Sequence, residues 1–191
     1  MCKPDKREEI VKAAMELIAD QGFHGAPMAL IAEKAGVGAG TIYRYFENKD
    51  VLIWELYNAI DARFKAFLLT HYPEGRPVRE CFFYIGRGII NYFINNPLDY
   101  KYNEQFHNSP YGVEFRRNKI FNSSGEYDFC RDLYEKGREQ QVIKDVPMPI
   151  FFDLAFAPII WALRDHLLGF VELSEDLSRV IVASCWDSVK M

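Results

Sequence analysis

Apolar residues recur every three to four positions along most of the chain, the spacing of an α-helix with one buried face. Near the start, Asp5 is followed three residues later by Glu8, which is typical of a helix N-cap, and Gly22 favours the end of that helix. Its apolar face is formed by Ile10, Ala13, Ala14, Leu17 and Ile18. No segment has the alternating pattern of a convincing strand, so the sequence predicts an all-α protein.

Two further short helices are predicted between residues 27 and 46. Pro27 suits the first position of the second helix, and Gly36 suits its end. In the third helix, Ile42 and Phe46 lie four residues apart and therefore share one inward face. Because all three helices lie within residues 1–50, they predict a compact N-terminal domain with a helix-turn-helix.

A long fourth helix is predicted to link this domain to a larger C-terminal helical bundle, residues 51–191. It begins after Asn48, which suits an N-cap, and runs to about Leu69. The next helix, residues 78–94, is apolar on nearly all sides, the pattern of an element buried inside a bundle. We predict a loop at residues 108–112 and further helices over residues 98–106, 125–140, 147–168 and 174–189, the third of them kinked at Pro158.

Composition narrows the class of protein. With 49% hydrophobic residues, the chain can bury a core. Its longest apolar run, residues 150–163, is interrupted by Asp153 and Pro158 and is shorter than the roughly 20 residues that cross a bilayer. The N-terminus lacks the apolar segment of a signal peptide, so we expect a cytoplasmic protein with no membrane partner. Residues 1–52 hold seven Lys and Arg against eight Asp and Glu, so charge alone does not predict DNA binding.

Residues with catalytic or metal-binding chemistry are scattered along the chain. There is no Gly-rich phosphate loop and no Gly-x-Ser-x-Gly motif, which argues against the enzyme alternative. The cysteines form no Cys-x-x-Cys pair and have no adjacent histidine, so we interpret them as packed thiols. We expect no catalytic residue, no metal and no cofactor. The residues concerned are Cys2, Cys81, Cys130, Cys185, His24, His71, His107 and His166.

The most specific pattern lies in residues 31–50. It reads Ile-Ala-Glu-Lys-Ala-Gly-Val, then Gly-Thr-Ile-Tyr-Arg-Tyr-Phe from Gly40, then Glu-Asn-Lys-Asp. It resembles the DNA-binding domain of the TetR family of transcriptional regulators. The resemblance covers residues 5 to about 55, and the remainder agrees with the family only in helix number, length and order. It implies a regulator that places the second helix of its helix-turn-helix in the major groove of double-stranded operator DNA.

The resemblance also points to the residues that contact DNA. It places the hydroxyls of Thr41 and Tyr43 on phosphate or base, while the Arg44 guanidinium suits guanine or phosphate. Tyr43 packed against the first helix and a solvated Arg44 are the alternatives. In the first turn of the fourth helix, Lys49 opposes the helix dipole unless an anion is bound there, although Asp50 can satisfy the dipole by itself. The predicted DNA-binding set is Ala39, Gly40, Thr41, Tyr43, Arg44, Tyr45 and Lys49.

The chain departs from the family pattern at several positions. Ala26 and Pro27 stand where many members have a Thr pair that caps the second helix, and Leu30 replaces a polar residue. Gly38 and Ala39 replace polar and basic residues at the start of the recognition helix. These changes remove contacts to DNA, which leaves open an alternative: a ligand-binding helical protein whose N-terminal domain no longer binds specific DNA.

The central part of the chain is rich in aromatic residues, which a packed core can explain. Gly86 and Gly88 in a buried helix favour unfilled space, although they also permit close helix packing. The family resemblance implies a small-molecule effector, and the aromatic lining suggests that it is hydrophobic or aromatic. The candidate ligand-binding residues are Phe82, Tyr102, Phe106, His107 and Trp161.

The last two predicted helices carry more apolar surface than one protomer can cover. By resemblance they form the interface of a homodimer, whose twofold symmetry implies a palindromic operator. We expect a repressor that leaves the operator when the effector favours another spacing of the two recognition helices, with activation as the alternative. The apolar residues concerned are Phe151, Leu154, Ile159, Leu163 and Leu167 in one helix and Leu177, Ile181, Cys185 and Val189 in the other.

Overall fold

A computed structural model of the chain describes residues 5–121 and 128–191. The described residues fold into α-helices joined by short connections, which confirms the predicted all-α class. An isolated antiparallel bridge pairs Ile143 with Lys190. The helices are α1 (Lys6–Gly25), α2 (Met28–Lys34), α3 (Ala39–Tyr45), α4 (Lys49–Leu69), α5 (Val78–Asn95), α6 (Pro97–His107), α7 (Pro110–Phe121), α8 (Phe129–Glu139), α9 (Met148–Ala155), α10 (Ala157–Leu167) and α11 (Glu175–Val189).

The helix starts follow the capping residues of the sequence. The Asp5 carboxylate accepts a hydrogen bond from the Arg7 backbone N–H at 3.1 Å, and the Asn48 side chain accepts one from the Val51 N–H at 2.9 Å. Ser174 caps α11 in the same way. Each cap satisfies a backbone donor that the helix itself leaves without a partner.

Helix α7 was not predicted, because residues 110–112 resemble a loop. They form its first turn instead, immediately after the end of α6. A Cβ atom at Gly112 would lie 2.5 Å from both the His107 Cα and the Phe106 carbonyl oxygen, so this close approach requires glycine. The first residues of the helix predicted over 125–140 lie outside the described part, and α8 begins at Phe129.

The kink predicted at Pro158 is confirmed. The helix predicted over residues 147–168 is divided at Phe156, whose φ of −126° is not helical, and α10 starts with Pro158 in its first turn. A proline ring has no N–H to donate to the carbonyl four residues earlier, here that of Leu154. The Ser188 hydroxyl lies 3.1 Å from this carbonyl oxygen and 2.7 Å from the Cys185 carbonyl oxygen, so its one proton is shared between the two acceptors.

The chain divides into two compact units. The first consists of Met1–Phe64 and Asn96–Phe115, and thus contains α6 as well as the helices of the predicted N-terminal domain. Two α6 side chains, Tyr102 and Phe106, are fully buried in its core. The Tyr102 hydroxyl donates to the Ile53 carbonyl at 2.7 Å, and burial raises its pKa. The α1–α4 residues of this core include Ile10, Ile18, Ile31, Ile42, Phe46, Leu52 and Ile60.

The second unit consists of Lys65–Asn95 and Arg116–Met191. Helix α5 lies at its centre and packs against α8, α10 and α11, as its apolar pattern predicts. A Cβ atom at Gly86 would lie 2.9 Å from a Val182 methyl, and one at Gly88 would clash with Leu68. The expectation that these glycines leave unfilled space is therefore wrong, since they allow close helix packing. No helix of the described ranges has the length and apolarity needed to cross a membrane.

We predict that Gly86→Ala lowers the free energy of unfolding by about 1–3 kcal/mol, because the added methyl overpacks the contact with Val182. Urea denaturation measures this change. Gly40→Ala is the control, since a Cβ atom there meets nothing within 4 Å, and we expect its stability to be unchanged or higher. Equal destabilisation of both variants would contradict the packing argument.

Candidate nucleic-acid interface

Helices α2 and α3 are joined by a tight turn. Gly36 adopts a φ of +65°, a left-handed conformation that glycine takes without strain, and the Val37 N–H then donates to the Ala32 carbonyl at 2.9 Å. The Val37 side chain packs against the core of the first unit. This turn holds the two short helices as a helix-turn-helix.

The side chains of α3 separate into an inner and an outer set. Ile42 and the following Phe46 are fully buried, as predicted. Tyr43 is 55% exposed and Tyr45 39% exposed, so neither belongs to the core, although a partly covered Tyr43 beside the first helix remains the alternative. Of the other predicted DNA-binding residues on α3, Ala39, Gly40 and Arg44 are exposed and Thr41 is half-buried. The outer face of α3 therefore offers phenol, guanidinium and hydroxyl groups together.

Lys49 has a partner that the sequence did not suggest. Its amine donates a hydrogen bond to the backbone carbonyl oxygen of Phe23 at the end of α1. Partial burial lowers the pKa of Lys49, and the neighbouring Asp50 carboxylate opposes that shift. An ammonium group has three N–H donors, so one bond to Phe23 leaves two for another acceptor. Lys49 thus joins the end of α1 to the start of α4.

The backbone leaves the helical conformation at Gly22, one residue before Phe23. Gly22 has a φ of +69° and a ψ of 179°, so the helical conformation is interrupted where the sequence predicted the end of the first helix, although the helix is assigned to Gly25. The Phe23 ring packs edge-on against Tyr102 and Tyr111, with centroids 6.1 and 5.4 Å apart. Phe23 therefore anchors the segment that presents the carbonyl to Lys49.

Asp50 also has an unexpected partner. The Tyr111 hydroxyl, from the first turn of α7, donates to its carboxylate with 2.5 Å between the oxygens. Burial, the hydrogen bond and the negative charge of Asp50 together raise the pKa of Tyr111 to about 12. The sequence does not reveal this pair, because the two residues are 61 positions apart and residues 110–112 have the pattern of a loop.

Arg7 fixes the start of α1 against the end of α3. Its guanidinium pairs with the Glu55 carboxylate of α4 and lies 5.3 Å from the centre of the Phe46 ring. A guanidinium over an aromatic face is attractive as well as charged. Arg7 therefore links the start of α1 to α4 through Glu55 and to the residue that ends α3 through Phe46.

The five predicted ligand-binding residues do not form one group. Tyr102 and Phe106 belong to the core of the first unit, and the His107 ring packs edge-on against Phe106, 5.6 Å away. Phe82 belongs to the core of the second unit, and Trp161 is 61% exposed on α10. None of the five lines the cavity of about 140 Å³ in the second unit, which is bounded by Tyr72, Gly75, Arg76, Val78, Cys81, Asp132, Leu133, Lys136 and Gln140.

Two of the three described cysteines agree with the interpretation as packed thiols, while Cys130 is only partly buried. Cys81 and Cys185 are buried, and burial raises the pKa of the Cys185 thiol to about 11. Cys2 lies outside the described residues. Residues 5–121 and 128–191 contain no group of three or more side chains suited to hold a metal ion.

Comparison with known proteins finds the same architecture in transcriptional regulators. The family model "Bacterial regulatory proteins, tetR family" matches residues 10–56, and "Tetracyclin repressor-like, C-terminal domain" matches residues 77–190. An uncharacterized HTH-type transcriptional regulator of Haemophilus influenzae is 26% identical over 188 residues, which cover 98% of this chain and 97% of that protein.

Solved structures agree. A putative TetR-family transcriptional regulator from Vibrio parahaemolyticus is 29% identical and has a TM-score of 0.77, with 98% of this chain and 99% of that chain covered. A putative regulator of the same family from Shewanella sp. PV-4 is 21% identical with a TM-score of 0.84, covering 98% of this chain and 99% of that chain, and this likeness bears on the fold alone.

Proposed function

Because the chain belongs to the TetR family of DNA-binding transcriptional regulators, we propose that it acts as a cytoplasmic, homodimeric repressor that a small hydrophobic or aromatic effector releases from a palindromic operator. The observation that supports this most directly is the exposed outer face of α3, where Tyr43, Arg44 and Tyr45 lie together over a buried Ile42. A helix with one exposed polar face and one buried apolar face can enter a major groove while its apolar face stays packed in the protein.

DNA contacts are proposed from α3 and from the start of α4. Arg44 suits a guanine edge or a phosphate, and the hydroxyls of Thr41, Tyr43 and Tyr45 suit phosphate or base, while Ala39 and Gly40 allow a close backbone approach. Lys49 and the first N–H groups of α4 suit one phosphate. Helix α2 has Pro27 at its N-cap and no side-chain cap, so this helix end offers backbone donors only.

The cations of the first unit are not equally available to DNA, because some of them are paired with carboxylates of the same unit. Within the first unit, Lys34 pairs with Glu16 at 3.0 Å and Arg7 pairs with Glu55, which uses these cations internally. Binding therefore depends on Arg44, Lys49 and backbone dipoles more than on net charge. A likeness to the "Fatty acid metabolism regulator protein" of Bacillus subtilis, 44% over 55 residues, supports a family binding mode and says nothing of the effector.

The dimer is proposed to form through α9–α11. Most of the apolar residues that the sequence assigned to this interface, including Phe151, Ile159, Leu163, Cys185 and Val189, are buried within the protomer. Leu154 of that set and further apolar side chains of this region are exposed, and a second copy of the chain would cover them. They are Ile150, Leu154, Ile160, Trp161, Leu168, Phe170, Val171 and Val180.

The effector is proposed to act on aromatic side chains that are packed in this structure. Phe82, Tyr102 and Phe106 are fully buried, so a ligand that reaches them must displace neighbouring side chains. A ligand of that kind binds an opened conformation better than the closed one and shifts the population towards it. His107, which packs against Phe106, and the exposed Trp161 on α10 remain candidate contacts.

Selection of bound sequences from random duplex DNA by the purified protein tests the function. We expect enrichment of a palindrome whose half-sites lie about 34–36 Å apart, one helical turn. An enriched sequence without twofold symmetry would contradict the dimeric binding mode, and an absence of enrichment would contradict operator binding. The labelled palindrome then reports effectors by its release.

The Lys49 contact has its own test. We expect Lys49→Met to reduce the slope of log K against log salt by about two in a dimer, one for each lost phosphate contact. Fluorescence anisotropy on the selected duplex measures the slope. Lys101→Met is the control, because Lys101 lies on α6 and pairs with Asp20 at 3.6 Å. An unchanged slope for Lys49→Met would remove Lys49 from the DNA contacts.

The dimer interface predicts a difference between two exposed valines. Val180 on α11 is 60% exposed and Val113 on α7 is 59% exposed. Val180→Glu places a charge in the proposed interface and is expected to weaken dimerisation at least about tenfold in sedimentation equilibrium, since an unpaired buried charge is costly. Val113→Glu is the matched control and leaves the dimer intact. Equal effects of the two variants would argue for another interface.

A further inference from the structure

Four residues at the first turn of α4 form a closed cycle of contacts. They are Phe23, Lys49, Asp50 and Tyr111. The Tyr111 hydroxyl donates to Asp50, and the adjacent Lys49 donates to the Phe23 carbonyl. The Phe23 ring then packs edge-on against the Tyr111 ring, 5.4 Å away. This cycle of contacts therefore connects the end of α1, the start of α4 and the start of α7 within the first unit.

The position of Asp50 gives the Tyr111 contact its importance. Asp50 is the acidic residue of the first turn of α4 and stands next to the lysine proposed to bind phosphate. A carboxylate in this place stabilises the helix end but repels the same phosphate. A hydrogen bond from Tyr111 fixes where that negative charge lies relative to the Lys49 amine.

We propose that Tyr111 is a positioning residue for DNA binding, which holds Asp50 and with it the first turn of α4 in the orientation that lets Lys49 and the helix N–H groups bind a phosphate. This proposal rests on the proposed contact of Lys49 with DNA. It assigns no direct contact with DNA to Tyr111, which acts through Asp50.

A residue that positions Lys49 and a residue that contacts phosphate affect the salt dependence of DNA binding differently. Loss of a positioning bond reduces the fraction of protein in the competent orientation, and the apparent Kd rises by the inverse of that fraction. The competent form still neutralises the same number of phosphates, so the slope of log K against log salt is unchanged. Loss of a phosphate contact reduces the slope itself.

The experiment measures anisotropy of a labelled duplex, the one enriched by the wild-type protein, at several salt concentrations. Tyr111→Phe, which removes only the hydroxyl, is expected to weaken binding about threefold to tenfold at an unchanged slope. Tyr111→Phe is then repeated in Asp50→Asn and Asp50→Ala backgrounds. We expect the loss to persist with Asp50→Asn, which keeps an acceptor oxygen, and to vanish with Asp50→Ala, which has none.

Tyr84→Phe is the control. The Tyr84 hydroxyl, on α5 in the second unit, donates to the Leu68 carbonyl at 2.9 Å, so its loss is expected to lower the melting temperature and leave DNA affinity unchanged. Melting curves also check that the Tyr111 and Asp50 variants are folded. If Tyr111→Phe melts early, the Asp50→Asn and Asp50→Ala variants test the same bond from the acceptor side. Both lose the negative charge, so Asp50→Ala is expected to bind DNA more weakly than Asp50→Asn, which keeps the acceptor oxygen.

Three results would overturn the proposal. The first is an unchanged DNA affinity of Tyr111→Phe. The second is a salt slope reduced as for Lys49→Met, which would make Tyr111 a phosphate contact. The third is a loss of affinity in the Asp50→Ala background equal to that in the wild-type background.

If no sequence is enriched, the same series is run on a random-sequence duplex at low salt, because phosphate contacts do not depend on sequence. Failure of the operator proposal and failure of this one are thereby distinguished.

Discussion

The burial of two α6 side chains in the first unit is the contact on which the DNA-binding part depends. Tyr102 and Phe106 are both fully buried among residues of α1 and α4. Complete burial of such a side chain contributes about 1.5–3 kcal/mol. The helices of the helix-turn-helix, α2 and α3, have seven residues each and are too short to be stable alone, so packing against a core must hold them. Helix α6 supplies part of that core.

The start of α4 is where this packing meets the proposed chemistry. An Asn48 cap, the Lys49 bond to Phe23 and the Tyr111 bond to Asp50 together fix one helix turn from three directions. A helix end that is fixed in advance binds an anion without first losing conformational entropy. The intramolecular bond of Lys49 therefore serves preorganisation and does not compete with the proposed phosphate contact, because the ammonium keeps further donors.

The sequence predicts what depends on local interactions. Helix starts at Asp5, Asn48 and Ser174 follow from side-chain caps, and the break before Pro158 follows from a missing N–H. The exposed and buried faces of α3 follow from helical periodicity. Contacts between distant segments do not follow in this way. Residues 108–112 have the local pattern of a loop, and that pattern does not show that Gly112 approaches the α6 backbone closely. The Tyr111–Asp50 bond is likewise invisible in a local pattern, because it joins distant segments.

The composition of α3 has a consequence for specificity. Its first positions, from Gly38 to Gly40, have no side chain that can hydrogen-bond to a base, so direct readout in one half-site would fall to the later residues of α3. These are Thr41, Tyr43, Arg44 and Tyr45. A good bidentate pair such as arginine with guanine discriminates by about 1–3 kcal/mol. Two half-sites then reach about 2–6 kcal/mol, at the lower end of the roughly 4–10 kcal/mol that separates specific from non-specific binding. With one such pair, a single protomer contributes about 1–3 kcal/mol, which is below that range. Twofold repetition and readout of DNA shape have to supply the remainder, which makes the proposed dimer a requirement of specificity as well as of symmetry.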